Sequence, residues 1–177
     1  MRPLETALSG VTVMESDTWN DGRGFFMEAF RADSFFRVTG CEPAFVQDNL
    51  SRTTRNVLRG LHAQRRRPQG KLIRVVRGEV FDVAVDINAK SKSFGRWFGT
   101  ILSDVNRWQI WIPPGHAHGF VVLSDTADML YKCTEYYDAN DEIGVVWNDP
   151  DIGIAWPVAE PAVSPRDARL PALLALR

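Results

Sequence analysis

The chain has 177 residues, 45% hydrophobic and 24% charged, with a formal net charge of -1. That is enough for one domain with a real core, and the near-neutral balance excludes a field that would gather nucleic acid or an anionic membrane, so any anion must be bound by local Arg and Lys. No stretch approaches the ~18 consecutive apolar residues of a membrane span, MRPLETALSG lacks a signal-peptide apolar run, and Cys41 and Cys133 stand far apart with no mark of a disulfide; a soluble cytoplasmic protein is expected.

Near the N-terminus, NDGRGFFMEAF carries Arg23 and Glu28. FRADSFFRVTG, from Phe30 to Gly40, predicts a short helix ended by glycine. FVQDNLS follows, where Gln47 and Asn49 share a strand face with Phe45, so the segment is expected to line a cavity rather than fill a core. In VLRGLHAQ, His62 and Gln64 share a face and Arg59 has the opposite parity. Gly60 is a place for a bulge that would re-aim it. The run Arg65 to Arg67 reads as a solvated loop.

KLIRVVRGEVFDVAVDI, residues 71–87, is two β-branched runs broken at Arg77-Gly78 and predicts a hairpin. WFGTILSD and RWQIWIPP continue the strand pattern, with Trp108, Ile110 and Ile112 on one face and Gln109 and Trp111 on the other. Pro113-Pro114-Gly115 forces a turn before a strand from Ala117 to Leu123. FVVLSDTADMLYKCTEYYD predicts two strands joined through Ser124-Asp125-Thr126. A Pro-interrupted tail starts at Trp156, and RDARLPALLALR predicts another short helix. With turn signals roughly every eight to twelve positions, the expectation is an all-β sandwich or barrel, one domain over 1–177.

Four places could carry chemistry. The first is the stretch around His62, with Lys71 close behind. The second is PPGHAHGF, where a His-x-His pair on a strand is how a metal site can begin, although taken alone the motif favours His118 packing under apolar neighbours and bonding a backbone carbonyl. The third is LYKCTEYYD, where Tyr131 and Tyr137 are an even number apart and face the same way. The fourth is the Arg23, Glu28, Gln47, Asn49 group.

RGLHAQ, QGKLIRVVRGEVFDVAVDI, SFGRWFG, IPPGHAHGF, YKCTEYYD and WNDPDIGIAWP, in that order, resemble the dTDP-4-dehydrorhamnose 3,5-epimerase family, from Arg23 to Asp167. The resemblance implies a cupin, that is a double-stranded antiparallel jelly roll with short peripheral helices, and a homodimer. Metal-binding cupins take two histidines and a carboxylate from one motif and a histidine from a second. Here His62 and His118 match two of these positions, while Gln64 and Gln69 stand where the others belong. Two neutral amides are poor ligands for a divalent ion, so neither metal nor other cofactor is expected. His116 stands where the family has an aromatic residue and is expected outside the pocket.

The implied substrate is a nucleotide-linked 4-keto-6-deoxyhexose. The hydrogens on C3 and C5 are both α to the C4 ketone, so inversion needs a base, a cation at the enolate oxygen, and an acid on the far side. By resemblance His62 is the base, Asp167 its orienting carboxylate and Tyr131 the acid, with Lys71 at the enolate oxygen. An imidazole's ordinary pKa of ~6.5 suits the base, and a phenol near ~10 is neutral and able to give a proton. Asp82 competes with Asp167 for the orienting role. Arg23 and Arg59 would pair with the diphosphate and Tyr137 would stack on thymine. Gln47, Asn49, His118 and Glu28 match substrate-contact positions, and Asp48 and Glu142 do so more loosely. The chain departs from the family pattern at Ala63, where an aromatic residue is usual, and at Pro165 and Arg166, where Glu and Lys are usual. Three other readings remain open: a relative inverting a single centre or another nucleotide sugar, a metal-dependent cupin, and a catalytically dead sugar-binding module.

Overall fold

β-Branched and aromatic residues at period two make strands that each bury one face, and the order of such runs sets the architecture. The computed structural model describes residues 1–177. In chain order the elements are β1 (Arg2–Leu4), β2 (Thr12–Glu15), β3 (Thr18–Asp21), β4 (Gly24–Met27), α1 (Ala32–Thr39), β5 (Gln47–Thr54), β6 (Val57–Gln64), β7 (Lys71–Arg77), β8 (Glu79–Asp86), β9 (Trp97–Ser103), β10 (Gln109–Ile112), β11 (His116–Val122), β12 (Thr126–Cys133), β13 (Glu142–Gly144) and β14 (Ala162–Val163). One sheet runs β1-β2-β10-β7-β12-β5 and the other β13-β6-β11-β8-β9, with β14 added to β6 and β3-β4 forming a separate hairpin. Pairing is antiparallel apart from β14, as a cupin jelly roll requires.

The two sheets close over a core that includes Val13, Ile73, Val80, Ala84, Leu102, Ile110, Phe120 and Met129. Each fully buried Val, Leu, Ile or Met side chain among these is worth about 1.5–3 kcal/mol relative to exposure. The outer faces are covered too. Leu61, Val83, Val85 and Ala117 pack under Ile152 and Leu173 of the C-terminal segment, while Trp111 and Leu72 pack against Phe35 of α1. This double burial explains why VFDVAV reads as nearly continuous apolar sequence. As expected, Ile110 and Ile112 enter the inter-sheet core, with Trp108 packed against it, while Trp111 turns to the helix side.

Two expectations need correction. The runs on either side of Arg77-Gly78 do not form a hairpin: β7 pairs with β10 and β12, whereas β8 pairs with β11 and β9. A single residue separates the two strands, too few for a two-residue hairpin turn. Gly78, at φ +79° and with Thr126 O 2.1 Å from where a Cβ would lie, makes a sharp corner that sends the chain from one sheet to the other. The second correction is the tail. RDARLPALLALR forms two short 3-10 turns, Asp167–Arg169 and Leu173–Leu176, instead of a helix, because Pro171 interrupts the run.

Candidate active site

The space between the sheets opens into a cavity with two lobes. One, about 580 Å³, is lined by Arg59, His62, Lys71, His118, Tyr131 and Asp167, among others. The other, about 260 Å³, adds Gln47, Asn49, Tyr137 and Glu142. His62, Lys71 and Tyr131 border both. His62 lies on β6 in one sheet, while Lys71 on β7 and Tyr131 on β12 lie in the other.

A bulge brings Arg59 and His62 to one cavity. His118 pairs with His62 and Phe120 with Arg59, so three steps along β6, from 59 to 62, match two along β11. Gly60 sits at the irregularity with φ +113°; a Cβ there would lie 2.6 Å from both Gly119 Cα and His118 O. Only a glycine permits this approach.

His62 Nε2 lies 2.8 Å from Asp167 Oδ1. The carboxylate can only accept, so Nε2 carries the hydrogen and Nδ1 keeps its lone pair. Asp167 is buried. Its Oδ2 also accepts from the Gly60 N–H at 3.3 Å, and its own N–H donates to Ser164 Oγ at 3.0 Å. The 3-10 turn that the sequence suggested as helix therefore delivers this carboxylate to the cavity. Asp82 serves the other imidazole: its Oδ2 is 2.8 Å from His118 Nε2. Asp82 is therefore not the partner of His62, and His118 bonds a carboxylate rather than a backbone carbonyl.

Burial pushes the Lys71 ammonium below the usual lysine range, against the pull of Cys133, Glu142 and Asp82. Burial likewise raises the Tyr131 phenol, which keeps it protonated. In the smaller lobe Gln47 accepts from the Tyr137 N–H at 2.9 Å and donates to Asn49 at 2.9 Å. Glu142 Oε2 accepts from Tyr137 Oη at 2.6 Å and pairs with Arg166 at 2.5 Å, while Oε1 stands 3.7 Å from His62 Nδ1. Burial works to raise the Glu142 carboxyl, but Tyr137, Arg166 and His62 together hold it below its ordinary value.

Three expected substrate contacts lie elsewhere. Arg23 is in the β3-β4 turn, paired with Asp21 at 2.6 Å and 91% exposed. Glu28 lies just past that hairpin, 3.8 Å from Arg31. Asp48 points out of the edge strand β5 to Lys132 at 3.0 Å, because strand alternation puts it on the face opposite Gln47 and Asn49. Gln64 and Gln69 are spent on backbone: Gln64 bonds Arg67 O, Tyr136 O and the Asp138 N–H, and Gln69 bonds Glu135 O. Both thereby brace the loop that carries Tyr137. No three His, Cys, Asp or Glu side chains are grouped as a metal would need. His116 borders neither lobe. Ala63 packs into the outer apolar cluster and also borders the smaller lobe.

A family model described as dTDP-4-dehydrorhamnose 3,5-epimerase matches residues 5–175. The chain belongs to the dTDP-4-dehydrorhamnose 3,5-epimerase family. It is 49% identical over 172 residues to the dTDP-4-dehydrorhamnose 3,5-epimerase of Salmonella typhimurium, covering 96% of this chain and 94% of that one. It is 52% identical over 165 residues to the Neisseria gonorrhoeae enzyme of the same name, covering 93% of this chain but only 50% of the relative's length. Among solved structures, the Legionella pneumophila dTDP-6-deoxy-D-glucose-3,5-epimerase in complex with dTDP-4-keto-L-rhamnose superposes with a TM-score of 0.96 at 46% identity, covering 99% of this chain and 94% of that one.

Within this family member, sequence reasoning passed over the part Arg166 plays. Named there only as a departure from the usual Lys, it borders the larger lobe and pairs with Glu142. Its place directly before Asp167 was the available signal. Thr53, which accepts from Arg59 Nε at 3.0 Å, gave none.

Proposed function

We propose that this cavity epimerises dTDP-4-dehydro-6-deoxy-D-glucose at C3 and C5 to dTDP-4-dehydro-L-rhamnose by acid-base chemistry through an enolate, as a step toward dTDP-L-rhamnose and surface polysaccharide. The observation that carries this reading is the opposition of His62, held by Asp167, to Tyr131 on the facing sheet, with Lys71 bordering both lobes as they do.

His62 Nδ1 takes the hydrogen from C3 or C5 as a proton, and the C–H electron pair passes into the enolate. Asp167 fixes the ring and stabilises the imidazolium that forms. The Lys71 ammonium faces the enolate oxygen; a well-placed donor there is worth on the order of 100-fold in rate. Tyr131 returns a proton from the opposite side, which inverts the centre. No step calls for a metal. Arg59 and Arg166 take the diphosphate, Tyr137 stacks on the base, and Gln47, Asn49 and His118 contact the substrate.

A homodimer is part of the same reading. Arg23 and Glu28 lie outside their own subunit's cavity, on and just after a hairpin that exposes Trp19, Phe25 and Phe26. In a homodimer that hairpin would cover apolar surface and could bring Arg23 and Glu28 to the partner's cavity. A cytoplasmic location fits two cysteines left as free thiols, and no helix is long and apolar enough to cross a membrane.

The test is direct. Enzyme treated with chelator is incubated with dTDP-4-dehydro-6-deoxy-D-glucose and the product's configuration is read by NMR. Inversion at both C3 and C5 is expected. Inversion at one carbon would move the function to a single-centre epimerase, and an unchanged sugar would reduce the protein to a binding module. Activity lost to the chelator and restored by a transition metal would revive a metal-dependent cupin.

A further inference from the structure

The carboxylate of Glu142 has two neighbourhoods. Its Oε2 is held by the Tyr137 hydroxyl at 2.6 Å and by Arg166 at 2.5 Å. Its Oε1 faces His62 Nδ1 at 3.7 Å, just beyond a hydrogen bond. Thus His62 is flanked by carboxylates on both ring nitrogens, and only the Asp167 side is closed. Arg166 differs from Glu142 in its ties. Glu142 has a side chain 7% exposed, whereas Arg166 is 57% exposed and borders the larger lobe along with Arg59.

We propose that Glu142 is a positioning residue that links the base to an occupied nucleotide site: a bound nucleoside diphosphate draws Arg166 away, and the freed carboxylate closes on His62 as Nδ1 gains its proton. This rests on the epimerase reading above and specifies how that site discriminates. A diphosphate offers more oxygens and more charge than a single carboxylate, and a guanidinium fork suits it. Moving an exposed Arg166 costs little. A nearly buried carboxylate deprived of its cation needs another donor. When Nδ1 takes the C–H proton, the new N–H supplies that donor; Glu142 accepts the hydrogen bond and remains a carboxylate, so no proton leaves the imidazole. Without a nucleotide, Arg166 and Tyr137 occupy Glu142, and the base works without its help. A free sugar is then a poor substrate for a reason separate from weak binding.

Besides Arg166 and Tyr137, the charged or titratable groups facing this pair are Asp167 on the C-terminal turn, Lys71 on β7, Tyr131 and Cys133 on β12, His118 on β11 and Arg59 on β6 itself. Lys71 and Arg59 oppose a positive imidazole and Asp167 supports it. Of the two carboxylates beside His62, Glu142 is the one paired with an arginine that borders the lobe assigned to phosphate.

The experiment compares the parent enzyme with Glu142→Gln by calorimetry with dTDP and by solvent-deuterium exchange into dTDP-4-dehydro-6-deoxyglucose across pH. The expected result is a dTDP Kd within about threefold of the parent, a kcat for exchange lower on the order of tenfold, and an acid limb of the kcat profile moved to lower pH by about one unit. A parent-like kcat and pH profile overturns the proposal, as does a loss of dTDP affinity with kcat intact, which would make Glu142 a nucleotide holder only. A parent enzyme that binds no dTDP or exchanges no proton overturns the epimerase reading itself and the proposal with it. Arg166→Gln tests the link from the other side should Glu142→Gln fail to fold. Its dTDP affinity should fall while the acid limb stays with the parent, and an acid limb shifted to lower pH contradicts the coupling.

Discussion

His62 lies between two carboxylates and across from a phenol, and each contact has a separable consequence. Asp167→Asn keeps the shape but offers an amide that can present its NH2 to Nε2 and favour the wrong tautomer. We expect kcat to fall about 100-fold or more, since an aspartate orienting a catalytic histidine is worth up to about 10⁴-fold; stopped-time product assays would show it, and an unaffected rate would leave the imidazole without need of its partner. Tyr131→Phe should still let C–H protons wash out while blocking net inversion at one or both centres, read by NMR. If it behaves like the parent, the acid is another group or water. At this scale much was legible: His62, Lys71, Tyr131, Asp167, Arg59, His118, Gln47, Asn49, Tyr137 and Glu142 all border the cavity. The pairing of His62 with Asp167 came from the family resemblance, with Asp82 as its rival; strand parity alone did not choose between them. Parity along a strand says which face a residue takes, and the partner across a sandwich depends on register and on where a loop returns.

Among the elements, the β6-β11 crossing decides the site. Gly60 and Gly119 pack against each other where a Cβ would meet backbone at 2.6 Å, and the bulge there gives Arg59 and His62 the same outlook despite opposite parity. Gly60→Ala should therefore cost at least ~3 kcal/mol, from the strained φ and the forced backbone shift. Urea denaturation would measure it, and the soluble fraction should lose activity out of proportion to its stability as Arg59 and His62 move. A neutral effect would mean that the approach is not tight. The strand positions and α1 followed from period and from Gly40 at the helix end. The sheet assignment of β7 and β8 did not, because a Gly corner between sheets and a hairpin turn share the same local composition. The short β13 and β14 carry too few residues for any period; they pair with β6 because the long C-terminal segment returns to it.

For the molecule as a whole, acid stability has an identifiable contributor. Burial pushes the His116 imidazole below its ordinary 6.5, more than Asp86 and the Pro113 and Pro114 backbone restore, and its buried Nε2 has no partner. The unfolded chain therefore binds a proton more readily than the folded one. Stability from this group is fully present above pH 6.5 and is lost as pH falls from there toward the folded-state value, at about 1.4 kcal/mol for each tenfold difference in proton affinity. His116→Phe, the kind of residue the family resemblance places there, should flatten the stability curve between pH 7.5 and 5 in denaturant titrations; an unchanged slope would assign the acid loss elsewhere. Arg23 and Glu28 read as site residues yet stand outside their own cavity; the proposed homodimer predicts a dimer in sedimentation, and a monomer would contradict it. The central claim, that one metal-independent imidazole removes hydrogens on both sides of a sugar carbonyl, is tested most directly by incubating enzyme and dTDP-4-dehydro-6-deoxyglucose in heavy water and locating deuterium by mass spectrometry and NMR. Deuterium at C3 and C5 with the native chain, and at neither carbon with a folded His62→Ala variant, is the expected result; exchange that persists in that variant would contradict the account.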